Sequence, residues 1–348
     1  MRAVTVTPGT PNSLRLVDDH PEPPVEEGPI LVEALAVGIC GTDQEIVGGS
    51  YGEAPPGEST LVLGHESLGR VLEDPGGTLR PGDLVAGIVR HPDPVPCPNC
   101  AVGEWDMCRN GRYTERGIKA LPGFARDRWR VRPEFAVRLD PALAPVGMLL
   151  EPTSVVAKAW EQIDRIGARA EWQPRTVLVT GAGPIGLLAA LLAAQRGHVV
   201  HVLDLATSGP KPELVRALGA TYHSGSIGQV DLAPDVVVEC TGAPTVVLDA
   251  MRKAGPDGIV CLTGVSSRGR TITVDAGALN RELVLENNVV FGSVNANRRH
   301  WELAAEALAR ADRSWLAALI TRRVPVATYS QAYTATGDDI KVVLDFTA

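Results

Sequence analysis

Two short stretches hold residues whose types and spacing suit a single metal ion. VGICGTDQEIV (37–47) carries Cys40, and LGHESLG (63–69) carries His65 with Glu66 directly after it. Cys40 stands 25 positions before His65, enough for a strand, a loop and a second strand to bring thiolate, imidazole and carboxylate together. A soft sulfur, a neutral nitrogen and an oxygen, with a fourth position open to water or substrate, form a donor set for catalytic zinc. Alone, Cys40 would read as a small buried apolar residue and His65 as a hydrogen-bonded core residue; the joint pattern points to metal. Gly38, Gly41 and Gly64 flank these ligands and let backbone pass close to the ion. A further carboxylate, Glu151 in LLEPTS, precedes Pro152, where helix is disfavoured and an irregular turn is expected.

A second chemical stretch is RTVLVTGAGPIGLLAALLAAQRGHVVHVLD (175–204), read as buried strand, glycine turn, apolar helix and second strand. Gly181, Gly183 and Gly186 satisfy G-x-G-x-x-G in that setting, and Pro184 and Ile185 complete the cofactor-binding turn. The first glycine makes the turn, the second admits a pyrophosphate, the third lets helix and strand approach, and the helix N-terminus offers its amides to phosphate. Asp204 follows Gly181 by 23 positions, the spacing of an acid that bonds the adenosine ribose hydroxyls. It would repel a 2′-phosphate, so NAD is favoured over NADP unless Lys211 supplies the missing positive charge. Thr241 and Gly242 end a later strand at the edge where such sheets bind cofactors, or form an ordinary turn. Zinc beside a nicotinamide supports alcohol oxidation without a covalent nucleophile. Thr42 has a hydroxyl able to relay the proton. Asp43 is either the acceptor for the ring N–H of a zinc-bound histidine or a capping carboxylate.

The elements that must carry these residues follow from pattern. The first 90 or so positions alternate β-branched runs with Pro and Gly, an all-β, barrel-like region with chemistry in its loops. Residues 154–166 read as an apolar-periodic helix. From 175 onward, strands and helices alternate as in a doubly wound parallel sheet, in which Cys240 and Cys261 are packing residues. Residues 289–311 read as strand, turn and amphipathic helix, and VPVATYSQAYTATGDDIKVVLDF as β structure rejoining the first region. The expected division is a catalytic domain of residues 1–157 and 297–348 and a cofactor domain of residues 158–296. His20, His198, His201, His223 and His300 have no ligand partners in sequence.

The 348 residues suffice for about two cored domains. A formal charge of −8, with no cluster of Lys or Arg, argues against nucleic acid or an anionic membrane as partner. The longest apolar stretch, 185–194, is far short of the ~20 residues that span a bilayer. No signal core opens the chain, so the six cysteines are expected to be reduced thiols or metal ligands in a cytoplasmic protein.

The order CGTD, GHE, GAGPIG and a glutamate before Pro152 resembles the zinc-dependent medium-chain dehydrogenase/reductase family over nearly the whole chain. Within it, RYTERGI, VDAGALNREL and GSVNAN look most like the microbial glucose dehydrogenases. The resemblance implies a GroES-like β-barrel catalytic domain plus a Rossmann domain, a homodimer or homotetramer, and a strand before Asn295 that pairs between subunits. It also implies that Glu115 approaches a sugar hydroxyl and that Asn295 reaches the substrate pocket; a solvated loop carboxylate and a turn residue are the alternatives. In related alcohol dehydrogenases a His five positions after the metal Cys ends the proton relay, and here that position is Glu45. Cys97, Cys100 and Cys108 resemble the family's structural zinc lobe, but Pro94 stands where the first of four cysteines should be. Either Asp93 or His91 completes that site, or the lobe holds no metal.

The expected activity is hydride transfer from a sugar or polyol hydroxyl, glucose C1 first, to NAD(P). The alternatives are a specialised sugar, a cyclitol or a secondary alcohol as substrate, or a cofactor-binding regulator without catalysis.

Overall fold

The computed structural model describes residues 1–266, 269, 271–334 and 336–348. The chain divides into two compact units, Met1–Ser154 with Asn295–Ala348, and Val155–Val294.

The first unit is built around the ten-residue strand Ile30–Ile39, which is buried at every position from Ala36 onward. Glu66–Glu73 pairs antiparallel along one of its edges. The other edge is shared, Arg128–Val131 taking the first half and Lys341–Asp345 the second. Leu84–Gly87 and Ala136–Leu139 extend the sheet on one side, and Ile320–Pro325 on the other. The register sets Gly38 opposite Glu66 and Ile39 opposite Val342. Pairing therefore brings Cys40, Glu66 and Lys341 to one end of the sheet. The stretch that holds His65 is held in turn by residues 123–125: Gly123 N–H donates to Val62 O, Phe124 to Gly64 O and Ala125 to Leu63 O, at 2.8–2.9 Å. Phe124 anchors that segment edge-on against Trp129, ring centroids 4.8 Å apart. A Cβ on Gly123 would overlap the Leu63 carbonyl, so only glycine allows the approach.

The second unit is a six-stranded parallel sheet in the order Thr221–Ser224, Val199–Asp204, Thr176–Thr180, Val236–Glu239, Ile259–Leu262, Val289–Gly292. The strand order reverses between Thr176–Thr180 and Val236–Glu239, the switch point at which doubly wound sheets bind ligands. The helix Pro184–Gln195 is buried from Gly186 to Ala193, and Leu178, Leu203, Val237 and Val260 form the core of an apolar cluster within the unit.

Two expectations are corrected. Glu151 and Pro152 lie in the first turn of the helix Leu150–Gly167, not in an irregular turn; the missing proline N–H costs nothing there because first-turn N–H groups have no intrahelical partner. The C-terminal run is only partly β: Ile320–Pro325 and Lys341–Asp345 are strands, but Val326–Tyr333 is 3-10 helix. Ser267 and Ala335, inside runs read as βα and β, lie outside the described residues. No helix among the described residues is long and apolar enough to cross a membrane.

Gly123→Ala is expected to cost about 1–3 kcal/mol through overpacking. A lower melting temperature together with reduced zinc content would show that this contact holds His65 in place.

Candidate metal centre and dinucleotide site

Cys40 directly follows the long strand and caps the helix Gly41–Val47 in extended backbone conformation. Its Sγ accepts the Thr42 N–H at 3.2 Å and faces His65 Nε2 at 3.0 Å. Asp43 Oδ2 accepts the Cys40 N–H at 3.0 Å, the contact of a capping carboxylate, and Oδ1 lies 3.5 Å from His65 Nδ1. Glu66 begins its strand 1% exposed, and a Cβ on Gly38 would overlap its Oε2. His65, Glu66 and Glu151 present donor atoms within 4.8 Å of one another, as do Cys40, Asp43 and His65.

The electrostatics favour a positive charge at this spot. Burial pushes His65 down, but the Cys40 sulfur and the Asp43 carboxylate outweigh it and hold the imidazole well above its ordinary pKa. Glu151 is pushed up to about 7, chiefly by burial, against the pull of His65 and with the like charge of Glu66 adding to it. Burial likewise raises Asp43. Asp43 Oδ1 and His65 Nδ1 are buried without hydrogen-bond partners among the described residues. These features fit zinc: an ion on Cys40 Sγ and His65 Nε2 leaves the Nδ1 proton directed at the Asp43 carboxylate.

Two residues of the centre had no sequence signal. Lys341, 1% exposed, donates to both Glu66 oxygens at 2.7 Å and to Ile39 O at 3.1 Å. The Tyr333 hydroxyl is buried without a hydrogen-bond partner among the described residues, and burial with Asp43 and Cys40 nearby pushes its pKa well above the ordinary value. Thr42 and Glu45 lie one turn apart on their helix, Glu45 exposed. Lys341 is 275 positions from Glu66 and sits in a run that reads simply as a strand.

Glu115 is buried rather than a solvated loop carboxylate. Arg90 Nε and Nη2 reach its Oε1 at 3.0 and 2.9 Å, and Asn295 Nδ2 donates to the same oxygen at 2.8 Å. Asn295 adopts φ +61° and accepts the Ala296 N–H with its own Oδ1. Cys97, Cys100 and Cys108 converge as a third group, their sulfurs within 4.8 Å.

In the second unit, Gly181 has φ +90°, and Gly183 caps the helix that Pro184, Ile185 and Gly186 open. A Cβ on Gly186 would overlap the Gly181 carbonyl. Asp204 Oδ2 accepts the Ala182 N–H at 2.6 Å, and Oδ1 takes the Ala206 N–H at 3.1 Å and Lys211 Nζ at 3.5 Å. Burial pushes Asp204 up, yet those amides and Lys211 hold it below the usual carboxylate range. Glu239, fully buried, accepts the N–H groups of Thr241 and Gly242 and the Thr180 hydroxyl. It thereby ties two strand ends at the switch point, a link that the sequence did not signal.

A GroES-like unit bearing a cysteine–histidine–carboxylate centre, joined in one chain to a Rossmann sheet, defines a zinc-dependent medium-chain dehydrogenase, an oxidoreductase. Family models agree: "Alcohol dehydrogenase GroES-like domain" matches residues 26–141 and "Glucose dehydrogenase C-terminus" residues 144–346. The chain belongs to the glucose dehydrogenase branch of that family. It is 41% identical to glucose 1-dehydrogenase 2 of Vulcanisaeta moutnovskia and 40% to glucose 1-dehydrogenase of Thermoproteus tenax, over 99% of each chain. The solved Haloferax mediterranei glucose dehydrogenase in complex with NADP, Zn and gluconolactone superposes with a TM-score of 0.91 at 30% identity, over the full length of both chains. The expected preference for NAD over NADP is not supported. That relative holds NADP, and here the Asp204 carboxylate is already engaged by two amides and a lysine.

Lys341→Met is expected to destabilise the protein by about 3–5 kcal/mol, because it leaves Glu66 as an uncompensated buried charge. Urea unfolding should show the largest loss after metal is stripped, with most of it recovered in K341M/E66L.

Proposed function

We propose that the protein oxidises D-glucose at C1 to gluconolactone with NADP as hydride acceptor. The observation that carries this reading is the Glu115 carboxylate. Arg90 and Asn295 saturate Oε1 and lock the group, while Oε2 has no hydrogen-bond partner among the described residues and so offers one oriented acceptor for a sugar hydroxyl. Asn295, with its own oxygen committed to Ala296, acts through Glu115.

Cys40, His65 and a carboxylate of Glu66 or Glu151 would hold the zinc. When bound, zinc supplies Lewis acidity at the substrate oxygen, and the nicotinamide accepts the hydride. The chain does the rest. Asp43 orients His65, and Lys341 holds Glu66 in place through hydrogen bonds to both carboxylate oxygens. The Thr42 hydroxyl takes the substrate proton and passes it one turn along the helix face to exposed Glu45, where water receives it. The amides of the Gly181–Gly186 turn cradle the pyrophosphate, with Thr241 and Gly242 beside the switch point. Lys211, paired with Asp204, supplies positive charge toward a 2′-phosphate.

A homo-oligomer is supported by the edge strand Val289–Gly292, unpaired on one side among the described residues, with exposed Val284, Leu285 and Val294 near it in the chain. A reducing, cytoplasmic compartment is supported by six free cysteines.

Initial rates of NADP reduction across a panel of aldoses and polyols test the reading. The expected result is a rate that is highest on glucose, sensitive to zinc chelation and lost in C40S and H65A; a panel in which glucose is inert would contradict it. Glu115→Gln should lower kcat/KM for glucose about 10- to 100-fold, the value of one charge-assisted hydrogen bond. Lys211→Glu should shift the NADP to NAD ratio of kcat/KM toward NAD by roughly tenfold, or 1.4 kcal/mol.

A further inference from the structure

The three-cysteine lobe departs from the four-donor pattern of its family, and the structure shows what stands in the gap. Pro94 occupies the position of the first donor. Neither neighbouring donor replaces it. Asp93 Oδ1 accepts the Val95 N–H at 2.8 Å, and Oδ2 accepts Asn110 Nδ2 at 2.9 Å and Arg112 Nε at 3.3 Å. His91 is stacked on Phe135 with centroids 3.8 Å apart, and among the described residues neither side chain joins the converging sulfurs. Three thiolates leave zinc one donor short of the closed tetrahedron of a structural site.

The lobe is nevertheless tied shut. Asp93 is 4% exposed, and its bonds to Asn110 and Arg112 join the entering and leaving sides of the loop. Asn110 Nδ2 also reaches Val95 O at 3.1 Å, and Asn99 Nδ2 reaches Met107 O at 2.6 Å. At the base, Arg90 and His91 pair antiparallel with Glu115 and Thr114, and Arg90 Nη1 donates to Asp106 O at 3.0 Å. A buried carboxylate that accepts several N–H bonds, one from a guanidinium, is a strong and directional link.

We propose that the lobe is a three-thiolate site which takes up and releases one thiophilic divalent ion, with water or a small ligand in the fourth position, while Asp93 holds the shape of the loop. A soft, anionic sulfur set suits zinc or cadmium. An open position makes exchange easy, and a metal-independent brace lets exchange proceed without unfolding.

Cadmium exchange into the full-length protein tests the site, read by the ultraviolet thiolate-to-cadmium band and by metal content. Cys100→Ser should lower the metal content by one ion per chain and remove the part of the band not due to Cys40. Stripping the lobe ion with a mild chelator should leave the melting temperature and the proteolytic resistance of residues 93–112 unchanged. Asp93→Ala should lower the melting temperature equally with and without that ion; if D93A does not fold, N110A should show the same direction. Absence of a lobe-dependent thiolate band, collapse of the loop on stripping, or unaltered stability in both variants would overturn the proposal.

Discussion

Burial of several acidic groups around one fixed ammonium is the constraint on which the first unit depends. Asp43, Glu66 and Glu151 converge with a cysteine sulfur and an imidazole, and Lys341 is the permanent cation that meets them. Ions taken out of water cost several kcal/mol each unless paired and hydrogen-bonded. Lys341 compensates Glu66, and the raised pKa values of Asp43, His65 and Glu151 express the remaining demand for positive charge. A divalent ion meets that demand with the donor types present. The same charges that make the end of this sheet costly to bury give it the donor types that suit a metal ion.

The geometry follows from pairing more than from local preference. One long strand presents two edges, and its final residues run between Glu66 on one side and the strand Lys341–Asp345 on the other. The ion pair at the centre is thus closed by the last strand of the chain. Glycines serve where backbone must approach: Gly38 makes room for the Glu66 carboxylate, and Gly123 lets a neighbouring segment hydrogen-bond the backbone beside His65. In the second unit the corresponding clamp is Glu239, which joins the switch-point loops without facing solvent.

Much of this was legible where the signal is local. The glycine fingerprint, the glycines flanking Cys40 and the adjacency of His65 and Glu66 each depend on a few neighbouring residues, so their spacing alone carries meaning. Lys341 and Tyr333 were not legible, because long-range pairing places them and each sits in an unremarkable run; Glu115 and Asn295 were named from the resemblance, but their bond to each other and to Arg90 is a long-range contact that sequence did not signal. Pro152 misled because proline disfavours helix at the residue before it but is at home in a first turn. The spacing of Asp204 was legible, but its engagement by the Ala182 and Ala206 amides and by Lys211 is a tertiary fact that spacing does not carry.

Zinc-edge X-ray absorption on Cys100→Ser protein, where the catalytic site should be the only thiolate-bearing metal site, tests the account most directly. The expected result is one sulfur with nitrogen and oxygen donors around the zinc, together with glucose-dependent NADP reduction that disappears when that zinc is removed. A shell without sulfur, or full turnover by zinc-free protein, would contradict it.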